Sequence, residues 1–481
     1  MKQSATSTSE LRRGIKSWQV TFIGLGGVIG SCYFLGLGAL IRDMGPAVIL
    51  AFAVVGVIVY GMMIAFAELL VNVPRKGSFI AYTNEFLGPV ASVGIGWAFW
   101  FSWVCYVPSE AIAAAVVLNS LFPGNQTMYA AGTLLLLTVI NLCSVNLFAR
   151  VESALSITKV CAIVLFSVLA FGVWIGLWGS DGFLGGAVNF GTGDLLGELF
   201  PNGCAVVLTN MVTVLVTFQG TEIIGLAAAE TQDPETAVPR ACKSVSYRIV
   251  LLYIVPILLI LLVFPTSAAT LDGAVFSQVL HSYRLDFWAA LMSGVVLVAA
   301  FSCANTGFYG TVRCLYGLSA EGLAPKTFGR LNRKGTPGNA ALLTLGAMWI
   351  VLLVGLLAGD SSLYRHLLSV SGFTGTLAWI GIIAAQKKMR KRLAQNGYTP
   401  ADLTAAVPNG QRWLTSFSLA AQSICLLLLL FGEGQLPVFA IACAAILLPA
   451  AVSVVLKKHG KLHPGGCDAS ERPFSELFPP R

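Results

Sequence analysis

The chain alternates long apolar runs with short polar connections. A helix needs about 20 apolar residues to cross a bilayer. Twelve runs qualify, near 18–40, 46–70, 89–118, 128–147, 153–177, 204–229, 245–265, 286–313, 339–358, 363–386, 413–432 and 436–456. Charge or proline bounds most of them on both sides, which marks them as separate segments. The pattern predicts an all-α polytopic membrane protein of 12 transmembrane helices.

Two runs are interrupted. The first holds GLGGVIGSC, with glycines at 24, 26, 27 and 30, each costing roughly 1 kcal/mol relative to alanine in a helix. The sixth holds LVTFQGTEIIG, which sets Gln219, Gly220, Thr221 and Glu222 in apolar surroundings. A break in hydrocarbon is tolerated where the freed backbone groups face protein, a cavity or a ligand. The two breaks stand five segments apart, the pattern of an inverted five-helix repeat with a solute bound at the midplane between helices 1 and 6. The competing reading is that Gly26, Gly27 and Gly220 serve close helix packing. The paired positions, with a carboxylate beside the second break, favour the solute site.

Composition agrees, with 56% hydrophobic and 11% charged residues against about 25% charged in soluble domains. The net charge of +8 raises nucleic acid as a partner, but the distribution points elsewhere. Of the 30 Lys and Arg, three (Arg42, Arg284 and Arg365) fall on one set of alternate loops and the rest on the other. Positive charge gathers on the cytoplasmic side, so both termini are expected in the cytoplasm. The order is then a cytoplasmic N-terminus (1–17), five helices (18–177), an extracellular loop (178–203), five helices (204–386), a basic cytoplasmic loop (387–412), two helices (413–456) and a cytoplasmic tail (457–481). The basic stretches 71–88 and 315–339, KKMRKR at 387–392 and the tail are expected at the lipid headgroups. The first span lacks a small-residue cleavage site and reads as retained. The eleven cysteines form no CxxC and read as small packing residues, with neither disulfides nor a metal site expected.

A half-helix starting near Gly30 would present the amides of Gly30, Ser31 and Cys32 to a carboxylate, with the Ser31 hydroxyl as a further donor. Glu222 is a carboxylate near the bilayer centre, where even insertion scales charge roughly 2.5–3.5 kcal/mol. Either it titrates in gating or proton movement, or it makes a structural hydrogen bond. Glu110 in the third span is a candidate for the central cavity, whereas Glu68 belongs to a cytoplasmic boundary. Lys159 sits about two turns into the fifth span, where its stem could also snorkel to the headgroups. Ser302, Cys303 and Asn305 are either cavity wall or interhelical hydrogen-bonding groups. After helix 6, Glu230, Asp233 and Arg240 read as loop caps, with a gate salt bridge as the alternative.

The strings LRRGIKSWQVTFIGLGGVIG, VPRKGSFIAY, FQGTEIIGLAAAETQDPETAVPRA and AAFSCANTGFYGTVRCLYGLSAEGLAPKTFGRLNRKGTPGNA resemble the amino acid/polyamine/organocation superfamily, within it the bacterial and fungal amino acid permeases. The resemblance covers most of the first ten spans. It implies a five-plus-five inverted-repeat fold like that of sodium-coupled leucine transporters, two extra C-terminal helices, and proton-coupled amino acid uptake at the cell membrane. It assigns the backbone carbonyls of Val28, Phe218 and Gln219 to the solute's ammonium, with Gly220 at the second break and the Phe218 ring as a lid or as core. It also places Lys159 where sodium-coupled relatives hold a second sodium, so no sodium site and no cofactor is expected, only the proton gradient. The family run of glycine, Ser or Thr, then glycine departs here to Gly30, Ser31, Cys32, Tyr33, which narrows the pocket and adds a hydroxyl.

The partners expected are an amino acid, protons and membrane lipid, with the chain as monomer or homodimer. The lean is towards a neutral, apolar amino acid, because Glu222 is the lone charge in the pocket so drawn. The alternatives are an exchanger, a cationic, lysine-type permease, and a non-transporting sensor. No HExxH and no P-loop occurs, and His281, His366, His459 and His463 all lie outside span interiors, so an intramembrane enzyme or an ATP-driven pump is not supported.

Overall fold

The computed structural model describes residues 15–75, 77–141, 145–178, 199–227, 230–232, 234–270, 273–332, 335–358, 363–432, 435–458 and 472–481. Most of the loop 178–203 expected to be extracellular, most of the N-terminal segment, part of the tail, and Asp233 lie outside the described residues. Helices dominate, and no strand occurs among the described residues beyond an isolated bridge between Ile15 and Thr231. That outcome follows from the solvent, since in hydrocarbon a backbone must satisfy its own hydrogen bonds.

Nine helices among the described residues are long and apolar enough to cross a membrane. Twelve runs were expected, and each difference has a local cause. Ser31–Asn72 counts as one span because a 3-10 turn at Gly45–Ala47 joins Gly36–Met44 to Val48–Asn72 without a loop. Gln126–Asn141 and Cys204–Val216 have 16 and 13 residues, short of a full crossing.

Several helices outrun their apolar part. Asp286–Ala320 continues past residue 313, and Leu363–Gln395 carries the basic run 387–392 as helix. Lys and Arg are good helix formers, and Arg390 folds back to form an ion pair with Glu68 at 2.6 Å. Within 71–88, Phe79–Leu87 is a short helix.

The centre of the molecule is Asp286–Ala320, which packs most extensively on Pro89–Leu121, itself flanked by Leu363–Gln395. Ser17–Val28 lies against Val145–Trp174 and Asp286–Ala320. Pro256 has no amide to give to the carbonyl four residues back, and the turn before it widens to a π-helix at Val250–Ile254. That widened turn carries Tyr253, which is buried at the site described next.

Candidate functional site

The helix Ser17–Val28 stops at Ile29 (φ −90°, ψ 92°) and Gly30 (φ −117°, ψ −166°), both extended, and helix resumes at Ser31–Phe34. Facing it, Cys204–Val216 gives way to turns at 217–222 before Ile223–Ala227, with Gly220 at φ +105°. The two interruptions touch through backbone. A Cβ on Gly27 would lie 3.4 Å from the Gly220 Cα, and one on Gly30 would lie 2.4 Å from Glu110 Oε1. The tight side is Gly220, where a Cβ would lie 2.5 Å from the Gly27 carbonyl, so that glycine alone permits this approach.

Several of the freed backbone groups have side-chain partners, as buried polar groups favour. The Ile29 carbonyl accepts Lys159 Nζ at 3.0 Å. The Gly27 carbonyl accepts the Cys303 thiol at 3.0 Å. The Ser31 amide donates to both carboxylate oxygens of Glu110, at 2.9 and 3.1 Å, and the Ser31 hydroxyl lies 3.2 Å from the Tyr364 hydroxyl. The Gly220 amide donates to both oxygens of Glu222 at 3.1 Å, and Trp379 Nε1 donates to Glu222 Oε2 at 2.8 Å.

Gln219 turns its side-chain amide to the carbonyls of Ser371 and Gly372, at 3.0 and 3.2 Å. The Tyr253 hydroxyl donates to the Thr217 carbonyl at 3.1 Å and stands 3.5 Å from that of Val28. The Phe218 ring stacks on Tyr253 with centroids 4.4 Å apart, and Phe52 closes the same face. Tyr33 packs on Tyr253 and Phe276. Its buried hydroxyl has no hydrogen-bond partner among the described residues. A small cavity opens here, lined among others by Val28, Ile29, Phe218, Thr221, Arg248 and Tyr253.

The structure thus brings Val28, Gly30, Ser31, Glu110, Lys159, Phe218, Gly220, Glu222 and Ser302 to one buried region around the two interruptions. Cys32 is buried there too, outside the cavity lining. Two expectations are modified. The Ser31 amide, assigned to a solute carboxylate, is held by Glu110. The Glu222 carboxylate is engaged by Gly220 and Trp379 and does not face the cavity lining.

Away from this region, Glu68 accepts Arg390 and the Val407 amide. Glu230 is buried against Arg313 Nη2 at 2.7 Å and accepts the Tyr309 hydroxyl at 3.1 Å. Glu230 is thus ion-paired, with Arg313 and not with a neighbour in its own loop, while Arg240 is exposed.

One buried acid was missed. Glu152, fully buried, accepts the Ser302 hydroxyl and Asn305 Nδ2, the latter at 3.2 Å. It stands two residues from the exposed Arg150 and reads in isolation as a boundary charge. The available signal was the spacing Glu152, Ser156, Lys159, a polar stripe on one helical face. Tyr364 and Trp379 were also missed, being single aromatics in apolar helices with no local mark of a polar contact.

Comparison with known proteins supplies the family. Residues 19–460 match the amino acid permease model. The chain is 34% identical to the amino-acid permease RocC of Bacillus subtilis (83% of this chain, 85% of the relative). It is 33% identical to the gamma-aminobutyric acid permease of Escherichia coli (89% and 90%) and 33% to the lysine-specific permease LysP of Escherichia coli (83% and 83%). Among solved structures, the Eremococcus coleocola manganese transporter superposes with a TM-score of 0.55 at 14% identity, covering 95% of this chain and 98% of that one. At that identity the likeness concerns the fold. Taken with the apolar helices, these matches make the chain a multi-pass protein of the cell membrane, a permease and not an enzyme, with an amino acid as its small-molecule substrate. The chain belongs to the amino acid permease family.

Proposed function

We propose that this permease imports a neutral amino acid together with protons, by alternating access around the two interrupted helices. The observation that carries the reading is the contact of Lys159 with the Ile29 carbonyl: a group able to gain and lose a proton is bound directly to the interrupted backbone. An ammonium holds that carbonyl more strongly than an amine does, because charge-assisted hydrogen bonds are about twice as strong as neutral ones. Losing the proton loosens the joint between Ser17–Val28 and Ser31–Phe34. In this reading twelve spans form a five-plus-five inverted repeat followed by two helices, with both termini in the cytoplasm. The short helices Ser17–Val28 and Cys204–Val216 are then halves of spans 1 and 6.

The Ser31 amide is the place for the solute's carboxylate. Glu110 holds that amide with a carboxylate of its own, so a solute carboxylate enters by displacing a group of the same chemistry. The carbonyls of Val28 and Phe218 suit the ammonium; Tyr253 and Thr221 now stand against them at 3.5 and 3.3 Å. The cavity wall holds Phe218, Tyr253, Leu252 and Val28 beside Arg248, and its apolar members favour an apolar side chain. A buried unpaired hydroxyl costs about 1–3 kcal/mol, so the Tyr33 hydroxyl favours a solute or water that offers it a partner. The named relatives include permeases for gamma-aminobutyric acid and lysine, so selectivity varies among similar chains.

The test is purified protein in liposomes with an imposed proton gradient, offered each radiolabelled protein amino acid in turn. Accumulation of apolar neutral amino acids, collapsed by a protonophore, is the expected result. Uptake that ignores the gradient removes the coupling, and preference for lysine or arginine removes the neutral substrate.

A further inference from the structure

The carboxylate of Glu152 is joined to the ammonium of Lys159 by one hydroxyl. Lys159 Nζ donates to Ser302 Oγ at 2.8 Å, and the Ser302 hydroxyl donates in turn to Glu152 Oε1. The two ends share the helix Val145–Trp174, seven positions and roughly 10 Å apart along its axis. Helical side chains lean towards the N-terminus, so the long lysine stem reaches back to the glutamate. The other Glu152 oxygen accepts Asn305 Nδ2, whose own oxygen accepts Asn141 Nδ2 at 2.8 Å, and the Ser156 hydroxyl adds a contact to Oε1 at 3.3 Å. The Asn305 amide and the Ser302 and Ser156 hydroxyls are uncharged donors, and they hold the carboxylate aimed at Ser302. The titratable groups facing Lys159 are Glu152 on its own helix, Cys303 on Asp286–Ala320 and Glu110 on Pro89–Leu121. Ile29, the residue after the helix Ser17–Val28, offers the lysine its carbonyl.

We propose that Glu152 is the proton acceptor of Lys159, with Ser302 as the relay. The Lys159 ammonium gives a proton to the Ser302 oxygen while the Ser302 hydroxyl proton passes to Glu152 Oε1. The ammonium becomes an amine, the carboxylate a carboxylic acid, and the serine is restored. The buried set keeps its total charge, so the transfer does not strand an ion in the membrane. Its consequence is local: Ile29 loses its charged partner. Glu152, nearer the exposed Arg150 end of the helix, then releases the proton on that side.

This inference rests on the proton-coupled reading above, and the test separates the two. Glu152→Gln and Ser302→Ala are compared with wild type in proteoliposomes for two quantities. One is accumulation of a radiolabelled mixture of the protein amino acids driven by a proton gradient. The other is counterflow of the same mixture with no gradient. The ratio of accumulation to counterflow is expected to fall about tenfold or more in Glu152→Gln, as for loss of a positioned proton acceptor. It should fall in the same direction in Ser302→Ala, which keeps both charges, and Glu152→Asp should restore part of it. An unchanged ratio in Glu152→Gln overturns the inference, including the case where both activities fall together. Wild-type protein that shows counterflow but no response to the gradient overturns the proton-coupled reading, and this inference with it.

Discussion

A Cβ built on Gly220 would lie 2.5 Å from both the carbonyl carbon and the oxygen of Gly27, and Gly220 has a φ of +105°. The two interrupted segments therefore meet as bare peptide, and the contact demands glycine twice over, for space and for conformation. Gly220→Ala should cost about 1–3 kcal/mol in backbone strain and push Gly27 away from the Cys303 thiol that its carbonyl accepts. The expected outcome is a lower melting temperature in detergent and uptake reduced by more than about tenfold, since small misplacements at a site are amplified in rate. Wild-type uptake by this variant would mean that the contact has no part in transport.

The Lys159 and Glu152 pair offers a stability test independent of transport. Both side chains are fully buried, and breaking a buried pair by removing one partner typically costs 3–5 kcal/mol. Lys159→Met should therefore be strongly destabilised. Lys159→Met with Glu152→Gln should regain a large part of that loss, because no uncompensated charge remains. A thermal-shift double-mutant cycle reads the coupling directly. Additive losses would show that the two groups do not act as a pair.

These contacts also show what was legible in the chain before its fold was known. Both interruptions were legible, because glycines and a Gln-Gly-Thr-Glu run stand out against twenty-residue apolar stretches. The roles of Ser31 and Glu222 as hydrogen-bonding positions were visible, but not their partners. Ser31 meets Glu110 across 79 positions and Glu222 meets Trp379 across 157, separations over which no local periodicity carries information. Span ends were blurred for a different reason. Helix propensity continues through Lys and Arg after hydropathy stops, so Leu363–Gln395 runs on where the apolar pattern ends.

Asp402 gives a pH prediction outside the membrane-spanning helices. The Thr399 amide and hydroxyl and the Arg481 guanidinium, at 2.7–2.8 Å, hold its carboxyl down at about 2. A depressed carboxylate contributes above its unfolded value of about 3.9 and loses that contribution as pH falls through the folded value. Arg481 also covers the Tyr398 ring at 4.0 Å, and Asn396 accepts the Arg481 amide through its carbonyl at 3.0 Å. Docking of residues 473–481 should therefore be constant from neutral pH down to about 4 and weaken between about 4 and 2. Asp402→Asn should loosen it at neutral pH. Hydrogen exchange of the Phe478 and Arg481 amides checks both, and protection that declines already near pH 6 would point to a different group.

The ion pair between Glu230 and Arg313 ties the segment after Ile223–Ala227 to Asp286–Ala320. Arg313 meets Glu230 Oε1 through both Nε and Nη2, at 2.9 and 2.7 Å, and stacks over the Tyr309 ring at 4.4 Å. The Glu230 carbonyl in turn accepts the Ile15 amide at 3.0 Å, which brings the start of the first helix into the same knot. In the proposed transport cycle these segments part when the cytoplasmic side opens, so the pair acts as a latch on the closed form. Arg313→Ala leaves Glu230 buried and unpaired, a loss of about 3–5 kcal/mol, and should favour the state in which Glu230 meets water. The expected signature is faster labelling of a cysteine placed at Leu25, a partly buried neighbour of the cavity, by a membrane-impermeant thiol reagent added from the cytoplasmic side. Replacing both partners, Glu230→Gln with Arg313→Met, should restore stability while keeping the faster labelling. If the single variant labels no faster than the parent, the pair is a structural tie and not a latch.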